Sequence, residues 1–368
     1  MTFMNRGSLY IPFFLCLGAL LAACTKTGPA GFEPAEAVVH ISASIDDAVV
    51  LTKASTPFED GTNYGIFACV SGSDEYEMFK PSLFNVRANK RAVNGTGGYN
   101  YPNGWSYNYI YTGTAQTPGT PETDERHGAN TFVLSQRKDD KTADLYAYAP
   151  WVQEAYVSGP RAIPFEVGRQ KDLMYARQNK TNDNDGLDPQ SGPLAASFTF
   201  EHAYAKVIIR FRLRNPDSRY YVSLASITRS DDAAPTVELW TAGDFDAVTG
   251  TFVDNANKRT TSSLPVGGTA TVFSTGFNVH GTLSYFLVPT EITKDGELTF
   301  NFTSGGVPLQ PFVLKKEYVM HDDGVTCGFQ PGYTYTFDFV LDNYLFFNGF
   351  NVSTTWEDDV RLGDGENI

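Results

Sequence analysis

Beyond residue 23 this chain has no apolar run near the roughly 20 residues that a bilayer-spanning helix needs, so no internal transmembrane helix is expected. Charge is scarce and mostly of one sign: 19% of residues are charged, 28 basic against 42 acidic, for a net charge of −14. Phosphate backbones are bound by clustered Lys and Arg, and that deficit excludes nucleic acid as a partner. Cysteine is limited to Cys16, Cys24, Cys69 and Cys327. With no CxxC and no His pair at ligand spacing, neither a structural zinc site nor any other metal or cofactor is expected. Cys69 and Cys327 lie far apart in the chain and read as two small apolar side chains buried separately. Catalytic patterns are missing too: there is no GxSxG elbow, no HExxH and no GxxxxGK[ST], and the five His are scattered. Carboxylates can still converge in space without a local signature, but the expectation is a protein that is not an enzyme.

What is present begins at the N-terminus. Arg6 precedes an apolar run from Leu9 to Ala23 that closes on Leu21-Ala22-Ala23-Cys24. A positive start, a short apolar core and small residues before a cysteine are the marks of a lipoprotein signal peptide over 1–23. Cys24 would then carry the lipid and hold the chain at the outer membrane and cell surface. The plain alternative is an ordinary signal peptide with a chance cysteine. Loss of Arg6 with the signal takes the net charge to −15.

The composition, 42% hydrophobic and 14% aromatic with 33 Gly and 20 Pro, is that of a folded chain rich in turns. Its apolar residues alternate with period two, which is the strand period. Val39, Ile41, Ala43 and Ile45 share one face; so do Ala205, Val207, Ile209, Phe211 and Leu213; so do Leu298, Phe300 and Phe302; so do Tyr333, Tyr335, Phe337, Phe339 and Leu341. Clusters of Gly, Pro, Asn and Asp separate them, and helix signals are few. The class expected is all-β, built from sandwiches. A polar stretch from Asn179 to Gly192 marks a domain boundary. Asp183, Asp185 and Gly186 there resemble part of a calcium loop, yet Thr181 and Gly192 stand where ligands would be needed, so a solvated loop is the better reading. His202, flanked by apolar strand residues, reads as a hydrogen-bonded structural histidine.

Several segments together resemble the fimbrillin superfamily of type V pili. They are the lipobox at Cys24, the strand ending Leu51-Thr52-Lys53-Ala54, Phe58 with Tyr64-Gly65-Ile66-Phe67-Ala68, and Asp172-Leu173-Met174-Tyr175-Ala176. Phe198 to Val207, Gly332 to Phe337 and a last strand bearing Trp356 complete the order. The resemblance implies two transthyretin-like β-sandwich domains in tandem, over 54–193 and 194–368, behind an N-terminal segment 24–53 whose first strand is removable. It also implies a fimbrial subunit, assembled when a protease cuts behind that strand and a strand of another subunit fills the groove. Lys53 is the basic residue suitably placed, so the cut would fall between Lys53 and Ala54, where the family's shaft subunits usually carry Arg. Phe350, Val352, Thr354 and Trp356 alternate as a donor strand would, a pattern that equally suits an ordinary edge strand closing the second sandwich. The partners implied are other pilin subunits, the outer membrane through the lipid, and a receptor on a host or bacterial surface. An uncleaved anchor or a tip subunit is the variant of this reading. A glycan-binding surface lipoprotein is the alternative, because Tyr99, Tyr101, Trp105, Tyr107, Tyr109 and Tyr111 could stack sugar rings.

Overall fold

The computed structural model describes residues 37–45, 56–57, 63–70, 85–91, 107–110, 131–134, 143–152, 154–155, 159–178, 194–214, 219–234, 236–266, 269–273, 281–342, 344–354 and 356. Regular structure within them is almost all strand, with two 3-10 turns at Val167–Arg169 and Lys316–Val319. The all-β expectation holds. Leu298, Phe300 and Phe302 point inward from the strand Leu298–Ser304, as their spacing predicts.

One sheet runs in the order Thr56–Pro57, Ala37–Ile45, Leu194–His202, Met174–Arg177, Ala143–Ala149, Asn63–Val70, Val86–Arg91, Tyr107–Ile110, with Thr131–Leu134 also on Ala37–Ile45. A second runs Gly281–Leu287, Ala205–Leu213, Thr334–Leu341, Leu345–Ser353. A third, centred on Arg219–Arg229 and Leu298–Ser304, packs its apolar face on the second. Rings meet across that layer: Phe211 and Phe302 at 5.8 Å, Phe302 and Phe339 at 5.4 Å, Phe300 and Phe337 at 5.7 Å. Edge-to-face and tilted pairs of this kind add about 0.5–1.5 kcal/mol each beyond the area they bury. The spacing of phenylalanines in three separate strands thus closes a sandwich.

The polar stretch 179–192 lies outside the described residues. Strands before and after it share sheets. Ile163–Glu166 pairs antiparallel with Leu239–Asp246, and Leu194–His202 stands in the sheet of the earlier strands. Phe165 extends the core across this join, 5.0 Å from Phe252 and 6.1 Å from Tyr204.

Residues 194 to 213 form a single extended course with a break at Ala203 and Tyr204. Its first part pairs parallel with Ala37–Ile45 and its second part parallel with Thr334–Leu341. The second part departs from simple alternation, since Lys206 and Ile208 are buried along with Val207 and Ile209. That strand lies inside its sheet, and Lys206 is covered on its outer face by the ring of Trp356. Cys69 and Cys327 are buried separately, as expected, with no disulfide between them.

Candidate assembly site

The first strand, Ala37–Ile45, is held from both sides. Along one flank it is parallel to Leu194–His202 through seven registered pairs, from Val39 opposite Leu194 to Ile45 opposite Phe200. Along the other it is antiparallel to Thr131–Leu134 at residues 37–40 and to Thr56–Pro57 at residues 44–45. A strand so placed fills a slot between two neighbours rather than decorating an edge. Neighbouring strands stand about 4.8 Å apart, so its departure would leave a gap of roughly 10 Å with unpaired main-chain groups on both walls. The parallel wall leads into Phe198 and Phe200, both fully buried, with Phe200 edge-on to Tyr64 at 5.6 Å.

At the other end of the chain, Leu345–Ser353 closes the second sheet as its edge strand, antiparallel to Thr334–Leu341. Its register shifts between Asp338 and Phe339, a bulge that leaves Asn348 unmatched while its side-chain oxygen accepts from Arg212 at 2.6 Å. Phe350 pairs with Phe337 and is 44% exposed; Val352 pairs with Tyr335 and is half-buried. Tyr344 and Phe346 are exposed as well. Phe350 rests on Tyr318 at 5.0 Å, and Tyr318 on Phe347 at 4.6 Å. Thr354 is half-buried, and Trp356, just past the strand, is buried.

Trp356 meets the two halves of the 194–213 course. Its ring stacks on His202 at 3.7 Å with 10° between planes and lies parallel to Phe286 at 5.9 Å. The Lys206 ammonium stands 5.5 Å from the ring centre. His202 Nδ1 bonds Asp172 Oδ2 at 2.6 Å, so the structural role expected for this histidine is what the geometry shows. With its side chain 4% exposed and one face against the indole, this imidazole holds a position and does not reach a substrate.

Cys24, Lys53 and Ala54 lie outside the described residues, as do 181–192 and most of the aromatic run from Tyr99. Among the residues described, the structure brings Trp356 together with His202 and Asp172, three residues that the sequence places in separate motifs. Asp172, Lys206 and Phe286 carried no signal of their own as a group. Contacts of 30 or more residues' separation leave no trace in local spacing.

No curated protein matches the chain. Solved structures to which the chain is similar include a cell-adhesion candidate from Bacteroides ovatus ATCC 8483, at 14% identity and a TM-score of 0.49, covering 88% of this chain and 100% of that one. The fimbrial anchor protein Mfa2 of Porphyromonas gingivalis is similar at 10% identity and a TM-score of 0.34, with 88% and 98% covered. The C-terminally truncated tip fimbrial protein Mfa3 of Porphyromonas gingivalis is similar at 7% identity and a TM-score of 0.40, with 87% and 99% covered. A family model described as fimbrillin-like matches residues 52–358, and with most of its length matched the chain belongs to the fimbrillin-like family.

Proposed function

We propose that this protein is a structural subunit of a type V fimbria, exported as a precursor lipidated on Cys24 and assembled by strand exchange. A protease cuts between Lys53 and Ala54, the segment 24–53 leaves with its strand, and a strand from another subunit takes the slot. The result is a cell-surface fimbrium that mediates adhesion, with other pilin subunits as partners and a receptor on a host or bacterial surface as its target. Under this reading the chain divides into two sandwiches after the 179–192 stretch, with Leu194–His202 completing the sheet of the first, and it carries out no catalysis.

The observation that carries the reading is the two-sided slot of Ala37–Ile45, with its parallel wall drawn from residues 155 positions later in the chain. While the strand is covalently attached, its effective concentration at the slot excludes competitors. After a cut behind it, only non-covalent forces hold it. An incoming strand then recovers the same main-chain hydrogen bonds and reads the same alternate side-chain positions.

The test is to treat the chain freed of residues 1–23 with a Lys-specific protease and determine the new N-terminus and the oligomeric mass. The expected result is a cut after Lys53 followed by a ladder of multimers. A chain that resists the protease and stays monomeric overturns strand exchange by this route and leaves an uncleaved anchor or tip role.

A further inference from the structure

Trp356 is anchored in a site assembled wholly from residues outside its own segment. His202 is fixed by Asp172 at 2.6 Å. Phe286 is fixed through its main chain: its N–H donates to Gln170 Oε1 at 2.9 Å, while Gln170 Nε2 donates to Val167 O at 2.8 Å. Lys206 is fixed by its strand, paired with Phe286 on one side and Thr334 on the other. Tyr204 continues the stack behind Phe286 at 5.9 Å. None of these restraints depends on Trp356, so the site keeps its shape when the indole is absent. Trp is also the side chain that suits it best, offering the widest face to the imidazole and the strongest attraction for the Lys206 cation.

The segment that carries Trp356 is held less firmly. Phe350 and Asn351 are exposed, Val352, Ser353 and Thr354 are half-buried, and the strand lies at a sheet edge. Of the described residues beyond that strand, Thr354 is half-buried and Trp356 is the buried one.

We propose that His202, Phe286 and Lys206 form a releasable socket, and that Trp356 is the plug that latches the C-terminal segment onto the same strand that pairs with the first strand. Latched, the alternating run Phe350, Val352, Thr354 and Trp356 stays in its own sheet. Unplugged, it is free to pair elsewhere. This role for the latch rests on the strand-exchange reading above, but the latch itself does not need assembly to be observed.

Hydrogen exchange read by mass spectrometry on the full chain tests it, comparing Trp356→Ala, Trp356→Phe and His202→Ala with the parent. Exchange across residues 345–356 is expected to rise on the order of 100-fold in Trp356→Ala and His202→Ala, less in Trp356→Phe, with the Leu298–Ser304 strand unchanged. Unchanged exchange at 345–356 overturns the latch, and so does an equal rise over both regions, which marks general destabilisation. If Trp356→Ala does not fold, Trp356→Phe alone carries the same comparison. A chain that assembles after cutting while its 345–356 exchange ignores these substitutions keeps the fimbrial reading and loses the latch; one that never assembles but responds as expected keeps the latch.

Discussion

Glu297 is a fully buried carboxylate stabilised by four hydrogen-bond donors. Ala234 N at 3.1 Å, Thr293 N at 2.7 Å, Thr293 Oγ1 at 2.7 Å and Lys294 N at 3.3 Å all point at its two oxygens. Burial alone pushes its carboxyl up, but those hydrogen bonds together bring it below the ordinary carboxylate value. The folded state therefore favours the ionised form. The stability this contributes is present above the carboxyl range of the unfolded chain and is lost as pH falls through the lower folded value. Glu297→Gln turns an acceptor into a donor against backbone N–H groups and is expected to cost about 2–4 kcal/mol at neutral pH. Urea unfolding at pH 7 and again in acid checks this: the gap between variant and parent should narrow in acid, where the parent loses the same charge.

At the scale of elements, the first strand depends on main-chain pairing along two flanks, and His40 is paired on both, with Ala195 and with Thr131. His40→Pro removes one N–H from that ladder and is expected to destabilise the chain by about 1–3 kcal/mol, measured as a shift of the urea midpoint. If the midpoint does not move, the strand contributes nothing to stability and its slot is no slot. Strands of this kind are legible in the sequence because alternation is local: the alternation of Val39, Ile41, Ala43 and Ile45 falls inside the strand Ala37–Ile45, and that of Leu298, Phe300 and Phe302 inside Leu298–Ser304. Partners were not legible. Nothing in the spacing around Asp172, His202 and Trp356 says that they meet, because that meeting is set by the parallel pairings of residues 194–213, which join segments distant in the chain. Burial of Lys206 was hidden for the same reason, since its cover arrives from residue 356.

For the molecule as a whole, like charge sets subunits of one kind against one another: with Arg6, Lys26 and Lys53 and with Glu33, Glu36, Asp46 and Asp47 removed from the 28 basic and 42 acidic residues, a chain cut after Lys53 carries −13. Like-charged surfaces slow encounter, and the repulsion reaches about 30 Å at 0.01 M salt but only about 8 Å at 0.15 M. Multimerisation of the cut chain, followed by light scattering, is therefore expected to speed up over that range of salt; a rate that falls instead would point to attraction between oppositely charged patches as the guide. The pairing of the first strand also fixes an order of events. Ala37–Ile45 is made before the residues that wall its slot, and one of those walls lies 155 residues behind it. Loop closure over that distance makes its docking a late step of folding, after the body that receives it has formed. The chain thus builds an unfilled template before it fills it, and the unpaired interval during its own folding is a rehearsal of the state that the proposed cut would restore.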